Sequence, residues 1–78
     1  MFLDEIKNLE LRDLLQAWED DFRGALDLTI YKNELEIIDE FLEMIWNSIF
    51  KGEYLREEIK IRYDYYEKFY QIKRKYYS

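Results

Sequence analysis

The sequence predicts an all-α protein, either a three-helix bundle or a helical hairpin whose third helix extends beyond it. Apolar side chains recur at helical spacing through three successive segments of the chain. The 78 residues contain no proline, and the two glycines, Gly24 and Gly52, fall between those segments, where they are typical of helix ends. Residues 1–78 are therefore predicted to form a single helical domain.

The first helix is predicted from about Leu3 to Arg23, with Gly24 as the residue that follows its end. Its apolar residues are spaced three and four apart, as one buried helix face requires. The residues of this face are Ile6, Leu9, Leu11, Leu14, Leu15, Trp18 and Phe22.

A connection over residues 24–32 leads to the second helix, for which Asp27, Thr29 and Asn33 are all possible N-caps. Asn33 and Glu36 have the spacing of a capping box, which predicts a start at Asn33 or one turn earlier. The connection also alternates apolar and polar residues as a strand does, but a lone strand would find no partner in this chain.

The second helix is predicted to run to about Lys51 and to bury a wide apolar face between two neighbours. The residues of that face are Leu35, Ile37, Ile38, Phe41, Leu42, Met44, Ile45, Trp46, Ile49 and Phe50. Gly52 then allows a short turn, after which a third helix from Glu53 to near the C-terminus folds back antiparallel. Its apolar face comprises Leu55, Ile59, Tyr66, Phe69, Ile72 and Tyr76, with Tyr63 and Tyr70 beside it.

The composition argues against catalysis. Without Cys or His, the chain has no disulfide, no thiolate or imidazole ligand for zinc, and neither the commonest general base nor a thiol nucleophile. Two isolated glycines cannot form a phosphate-binding loop. We therefore expect no enzyme activity, no cofactor and no metal site. Acids near the N-terminus and short uncharged runs predict a cytoplasmic protein with neither a secretory signal nor a membrane span.

Charge is distributed unevenly along the chain. Residues 1–50 carry 13 acids and 4 bases, and residues 51–78 carry 5 acids and 8 bases, which together give the net charge of −6. We expect the anionic part to be repelled by nucleic acid and by anionic membranes and attracted to a basic protein surface. Direct binding to nucleic acid through the tyrosines and lysines of residues 60–77 is a weaker alternative.

Two clusters of carboxylates are the predicted partner-binding residues. No base interrupts the acids of the second helix between residues 33 and 50, although like charges four residues apart oppose helix formation. The acids at the end of the first helix stand where the helix dipole disfavours them. An anionic surface aimed at a cationic partner accounts for both clusters, and an ordinary solvated acidic face is the plainer alternative. The residues are Glu19, Asp20, Asp21, Glu36, Asp39, Glu40 and Glu43.

Seven of the eight tyrosines lie between Tyr54 and Tyr77, more than one core can hold. Tyrosine is enriched in interfaces because it buries a large area at low entropic cost. A chain this short also has a marginal core, which self-association can supplement. We therefore predict a homodimer. The residues predicted at the dimer or anchoring interface are Tyr63, Tyr66, Phe69 and Tyr70.

The unrelieved acids of 19–21 and of the second helix resemble those of small phage-encoded inhibitors that mimic DNA. The size, helicity and expected dimer are similar to a staphylococcal-phage type that inhibits the bacterial replication sliding clamp. The resemblance implies a non-enzymatic inhibitor that occupies the basic DNA channel of the clamp. The residues by themselves also allow a helical adaptor or regulatory protein that docks a partner through its apolar, tyrosine-rich face.

Overall fold

Three α-helices and two short 3-10 helices form the protein in a computed structural model, which describes residues 2–24 and 26–77. The α-helices are α1 (Leu9–Phe22), α2 (Glu34–Lys51) and α3 (Arg56–Tyr77), and the 3-10 helices are Leu3–Glu5 and Leu28–Ile30. Ala25, within the predicted connection, lies outside the described residues. The described residues include no strand, so the all-α prediction is confirmed and the strand alternative for the connection is wrong.

The first predicted helix is divided into two pieces. The chain forms a 3-10 helix over Leu3–Glu5, and α1 begins only at Leu9. The break occurs because the Asn8 side chain accepts the Leu11 N–H at 3.1 Å, which caps a new helix. Ile6 lies between the two pieces and is buried, so the apolar spacing continued across a real helix boundary.

The end of α1 also differs from the prediction. Arg23, whose φ is 51°, adopts the left-handed conformation expected of the glycine that follows it. Its N–H donates to the Glu19 carbonyl at 2.7 Å, which closes the last turn. The residue that ends the helix is therefore Arg23, one position before Gly24.

The start of α2 is the later of the predicted alternatives, with Asn33 as its N-cap. The Asn33 side chain accepts the Glu36 N–H at 2.8 Å, and the Glu36 carboxylate in return accepts the Lys32 N–H at 3.1 Å. The first bond satisfies a backbone donor that the first turn of a helix leaves free, and the second ties the residue before the N-cap to that turn. The helix ends at Lys51, also as predicted.

Asn33→Ala is expected to lower the free energy of unfolding by about 1 kcal/mol, because the first turn of α2 loses its acceptor. Denaturation by urea, followed by circular dichroism, measures the change. Asn47→Ala is the control, since Asn47 is exposed in the middle of the same helix and its loss should cost less than about 0.5 kcal/mol. Equal losses in the two variants would show that the cap contributes nothing.

In the turn between α2 and α3, an aromatic ring occupies the space beside a glycine. The ring of Tyr54 lies over Gly52 so closely that a Cβ there would stand 2.0 Å from Tyr54 Cε2. The Arg62 guanidinium also lies over the Tyr54 ring, with its central carbon 3.7 Å from the ring centroid. The turn is longer than predicted, since α3 begins at Arg56 rather than at Glu53.

Helix α3 runs antiparallel to both of the other α-helices. Against α1, its end places Tyr76 3.4 Å from the Asn8 amide, and its middle places Tyr65 beside Asp21. Against α2, the pairs Asp39–Lys73 and Trp46–Tyr66 follow the same reversed order. Because α3 packs along both neighbours, the architecture is a three-helix bundle and not a hairpin with a projecting helix.

Helices α1 and α2 consequently run in the same direction. The connection returns the chain to the start of α1, where the Glu34 carboxylate accepts the Asn8 N–H at 2.9 Å. Leu28 of the connection is buried under this return. An up-down-up order of helices, the simplest arrangement for short connections, is therefore not adopted.

A single apolar core lies between the helices. Its fully buried side chains are Ile6, Leu11, Leu15, Ile37, Ile38, Ile45 and Phe69. Among the described residues no charged side chain is buried, and no helix is long and apolar enough to cross a membrane. Several residues predicted on apolar faces are exposed instead: Leu9, Met44, Trp46, Phe50, Leu55 and Tyr76.

Candidate binding surfaces

Five aromatic side chains form a continuous surface along the seam between α2 and α3. The centroid of the Trp46 ring lies 4.9 Å from that of Phe50, 5.4 Å from that of Tyr66 and 6.5 Å from that of Tyr63. The rings of Tyr66 and Tyr70 are stacked, with their centroids 6.5 Å apart. Trp46 is 44% exposed, Phe50 65%, Tyr63 43% and Tyr70 45%. Exposed aromatic surface of this extent is typical of an interaction site. We call these five residues the aromatic strip.

The aromatic strip contains three of the four residues predicted at a dimer or anchoring interface: Tyr63, Tyr66 and Tyr70. The fourth, Phe69, is wholly buried and stacks on Phe41 at 5.0 Å, so its predicted place at an interface is wrong. Phe69 shares a helix face with Tyr65 and Ile72, and that face points into the bundle. Sequence reasoning missed Trp46 and Phe50 as surface residues. The excessive width of the apolar arc on α2 was the available signal.

Charged side chains border one end of the aromatic strip. Asp39 and Glu43 of α2 and Lys73 of α3 line a shallow depression beside Trp46 and Tyr70. Lys73 Nζ lies 2.7 Å from Asp39 Oδ1, and this hydrogen bond raises the pKa of the Lys73 ammonium group. Of the predicted partner-binding acids, Asp39 is therefore already paired within the chain, and Glu43 lies at the rim of the strip.

The other two predicted acids of α2 lie toward the connection. Burial raises the pKa of the half-buried Tyr31 hydroxyl, and the nearby charges of Glu40, Glu36 and Asp27 raise it further. Glu36 is also engaged by the Lys32 N–H in the cap of α2. The four acids of α2 lie within about 100° of the helix circumference, with Asp39 and Glu43 on the side of the aromatic strip and Glu36 and Glu40 on the side of the connection.

The acids at the end of α1, by contrast, are spread around the helix. Glu19, Asp20 and Asp21 are consecutive, so their side chains spread over about 200° of the helix circumference. The Tyr65 hydroxyl donates to the Asp21 carboxylate, and Asp20 lies near enough for its charge to act on the same hydroxyl. Burial raises the pKa of Tyr65 most, with this hydrogen bond next. Asp20 and Asp21 thus lie on the side of α1 that faces α3.

An open groove between α1 and α3 brings further carboxylates together on that side. Its lining residues are Glu10, Asp13, Leu14, Ala17, Asp64, Glu67, Lys68, Gln71 and Ile72. Four carboxylates thus meet one lysine over an apolar floor. At one end Lys75 Nζ lies 2.8 Å from Glu10 Oε1. We call this groove, together with Asp20 and Asp21, the acidic groove.

Sequence reasoning missed the carboxylates that line the acidic groove. Asp64 and Glu67 are close to bases in the sequence, and Asp64 with Lys68 reads as an ordinary supportive pair on one helix. Only the packing of α3 against α1 places them opposite Glu10 and Asp13. This anionic surface is therefore built from two helices whose facing acids, such as Asp13 and Asp64, lie about 50 positions apart in sequence.

These arrangements contain no group of three or more acids placed to hold a metal ion within residues 2–24 and 26–77. In comparisons with known proteins, no family model matches the chain, and no curated protein or solved structure is similar enough to indicate a relationship. The two surfaces, the aromatic strip and the acidic groove, are therefore interpreted from their own chemistry.

Proposed function

We propose that this chain is a non-catalytic inhibitor that binds a DNA-binding protein and presents carboxylates to the surface that DNA would occupy. The bacterial replication sliding clamp is the partner that we name. The observation that carries the proposal is the acidic side of α1, where Glu10, Asp13, Asp20 and Asp21 outnumber the two lysines beside them, which are Lys68 in the groove and Lys75 on Glu10. Protein surfaces that bind DNA carry lysine and arginine to neutralise phosphates, and these side chains would meet the carboxylates instead.

An electrostatic contact of this kind predicts a fast association rate that depends on salt. Opposite charges on two surfaces raise the association rate, and salt suppresses that gain. Duplex DNA would compete for the same basic side chains. We further propose that the chain acts as a homodimer, because 78 residues without a disulfide bury only a small core.

Asp13→Lys is expected to weaken binding to the purified clamp by on the order of tenfold or more, because one charge pair at a contact contributes roughly 1–3 kcal/mol. Surface plasmon resonance at low and high salt, with and without duplex DNA, measures the change. Asp20→Lys should act in the same direction. Both residues are exposed, so neither change should unfold the bundle.

Glu40→Lys is the matched control, since it makes the same change of charge at an exposed position on α2. It should weaken binding much less than Asp13→Lys does. If Glu40→Lys has the larger effect, the partner is contacted by α2 and not by the acidic groove. If neither salt nor any of the three substitutions changes the affinity, the proposal that the chain mimics DNA is refuted.

A second candidate function is that of a helical adaptor, and the exposure of the aromatic strip favours it. In that case the acidic side chains only keep the protein soluble, and the aromatic strip provides the contact with the partner. Tyr66→Ala should then abolish binding of the partner, whereas Asp13→Lys should leave it unchanged. The opposite result is expected for an inhibitor that mimics DNA.

A further inference from the structure

We infer that the aromatic strip is the contact face of a homodimer with a two-fold axis parallel to the helices. In this arrangement α2 of each copy lies across α3 of the other. The inference rests on the homodimer proposed above and is independent of what binds in the acidic groove. It names the occupant of the strip as a second copy of this chain.

The area of the aromatic strip fits a dimer of moderate affinity. An aromatic side chain can bury about 150–250 Å², and the four most exposed members of the strip are each 43–65% exposed. They therefore offer roughly 400 Å² per copy. A standard interface buries about 800 Å² per partner, so the strip would form its centre and the charged rims the remainder.

The charges at the rims are complementary between the two helices. At one end of the strip, Asp39 and Glu43 lie on α2, while Lys73 lies on α3 with Arg74 next to it. The bridge between Asp39 and Lys73 shows that these acids and bases stand at the same height along the bundle. An acidic edge and a basic edge therefore run side by side on a single face.

Only one of the two possible two-fold axes in the plane of this face uses that complementarity. With an axis parallel to the helices, α2 meets α3 of the partner at equal height. The acids Asp39 and Glu43 then approach Lys73 and Arg74 of the partner subunit, and Trp46 approaches Tyr66 of the partner subunit. With an axis perpendicular to the helices, α2 meets α2, and the acids of one copy lie on the Trp46 and Phe50 rings of the other. The carboxylates would then be desolvated against rings and gain no cation from the other copy, which is costly, and only Asp39 would keep the pair with Lys73 of its own chain.

The same geometry leaves both acidic grooves open. Each groove lies between α1 and α3, whereas the contact face lies on the seam of α2 and α3. A dimer formed in this way presents two anionic surfaces on its outer sides. Two contacts with one partner or with a symmetric ring would strengthen binding without any new contact residue.

The first test is the association of the purified chain alone, measured by sedimentation equilibrium over a range of concentrations. The wild-type chain should be a dimer, and Trp46→Ala should raise the dimer dissociation constant by about tenfold or more. Leu9→Ala is the matched control, because Leu9 is an exposed apolar residue on α1, and it should leave the constant unchanged. A wild-type chain that stays monomeric, or a dimer insensitive to Trp46→Ala, would overturn the inference.

A charge exchange tests the orientation of the axis. Glu43→Lys and Arg74→Glu should each weaken the dimer, because each places like charges opposite one another across the interface. The double variant E43K/R74E should restore the wild-type constant, whereas loss without restoration would exclude this axis. Circular dichroism confirms that each variant is folded. Because no clamp is present, these results do not depend on the proposed function, and Asp13→Lys should leave the dimer intact.

Discussion

Phe69→Ala is expected to lower the free energy of unfolding by about 3–5 kcal/mol, the usual cost of removing a buried phenylalanine. Phe69 is wholly buried and stacks on Phe41 where α3 meets the other helices. A domain of this length has a total stability of about 4–12 kcal/mol, so the variant should lose a large part of it. Denaturation by urea at a concentration low enough to keep the chain monomeric measures the loss.

Tyr70→Ala is the comparison that separates core from surface. Tyr70 follows Phe69 directly but turns its ring to the aromatic strip, where it is 45% exposed. Its removal should cost less than about 1 kcal/mol in the monomer and should weaken self-association instead. If both variants lose the same stability, Tyr70 belongs to the core and the strip is not an available surface.

The ends of α2 were predictable because they are set by local chemistry. Asn33 caps the helix through a bond that spans three residues, and Gly52, which follows the last residue of the helix, lies two residues before the Tyr54 ring that packs on it. The break before α1 was missed for a related reason. Ile6 and Leu9 keep the apolar spacing across the break, so the spacing predicted one continuous helix. Asn8 is a residue that favours N-caps, but the apolar spacing was given more weight.

The positions of exposed aromatic residues could not be read from the sequence. A wide apolar arc on α2 shows that more than one side of the helix is apolar, but it does not show which part a neighbour covers. Trp46 and Ile45 are adjacent in sequence, and only the position of α3 leaves Trp46 at the surface while Ile45 is buried. That position depends on the whole bundle.

The carboxylates that line the acidic groove between α1 and α3 were not predicted from the sequence. Acids adjacent in sequence were expected to share a surface, whereas the turn of a helix separates Glu19 from Asp21. Conversely, Asp13 and Glu67 line one groove although 54 positions separate them. The antiparallel packing of α3 on α1 decides which carboxylates lie together, and no local pattern encodes it.

Tyr65→Phe is expected to lower the free energy of unfolding by about 1–2 kcal/mol at neutral pH, because the Asp21 carboxylate loses its hydrogen-bond donor. The exposure of Asp21 keeps the loss moderate, since water can replace the hydroxyl. The ring itself remains and still meets Trp18 and Phe22 edge to face. Tyr70→Phe, at an exposed ring, is the matched control and should follow the wild-type chain.

The difference between wild type and Tyr65→Phe should disappear at alkaline pH. Burial and the hydrogen bond to Asp21 raise the pKa of Tyr65 in the fold above its ordinary value of 10.0. The neutral hydroxyl therefore stabilises the fold fully below pH 10. As pH rises beyond 10, the unfolded chain ionises this tyrosine while the folded chain retains the proton, so the wild type loses up to about 1.4 kcal/mol per pH unit that the variant does not lose. Urea denaturation at a series of pH values measures the difference, and a constant gap from neutral to strongly alkaline pH would show that the Tyr65 hydroxyl does not hold the end of α1 to α3.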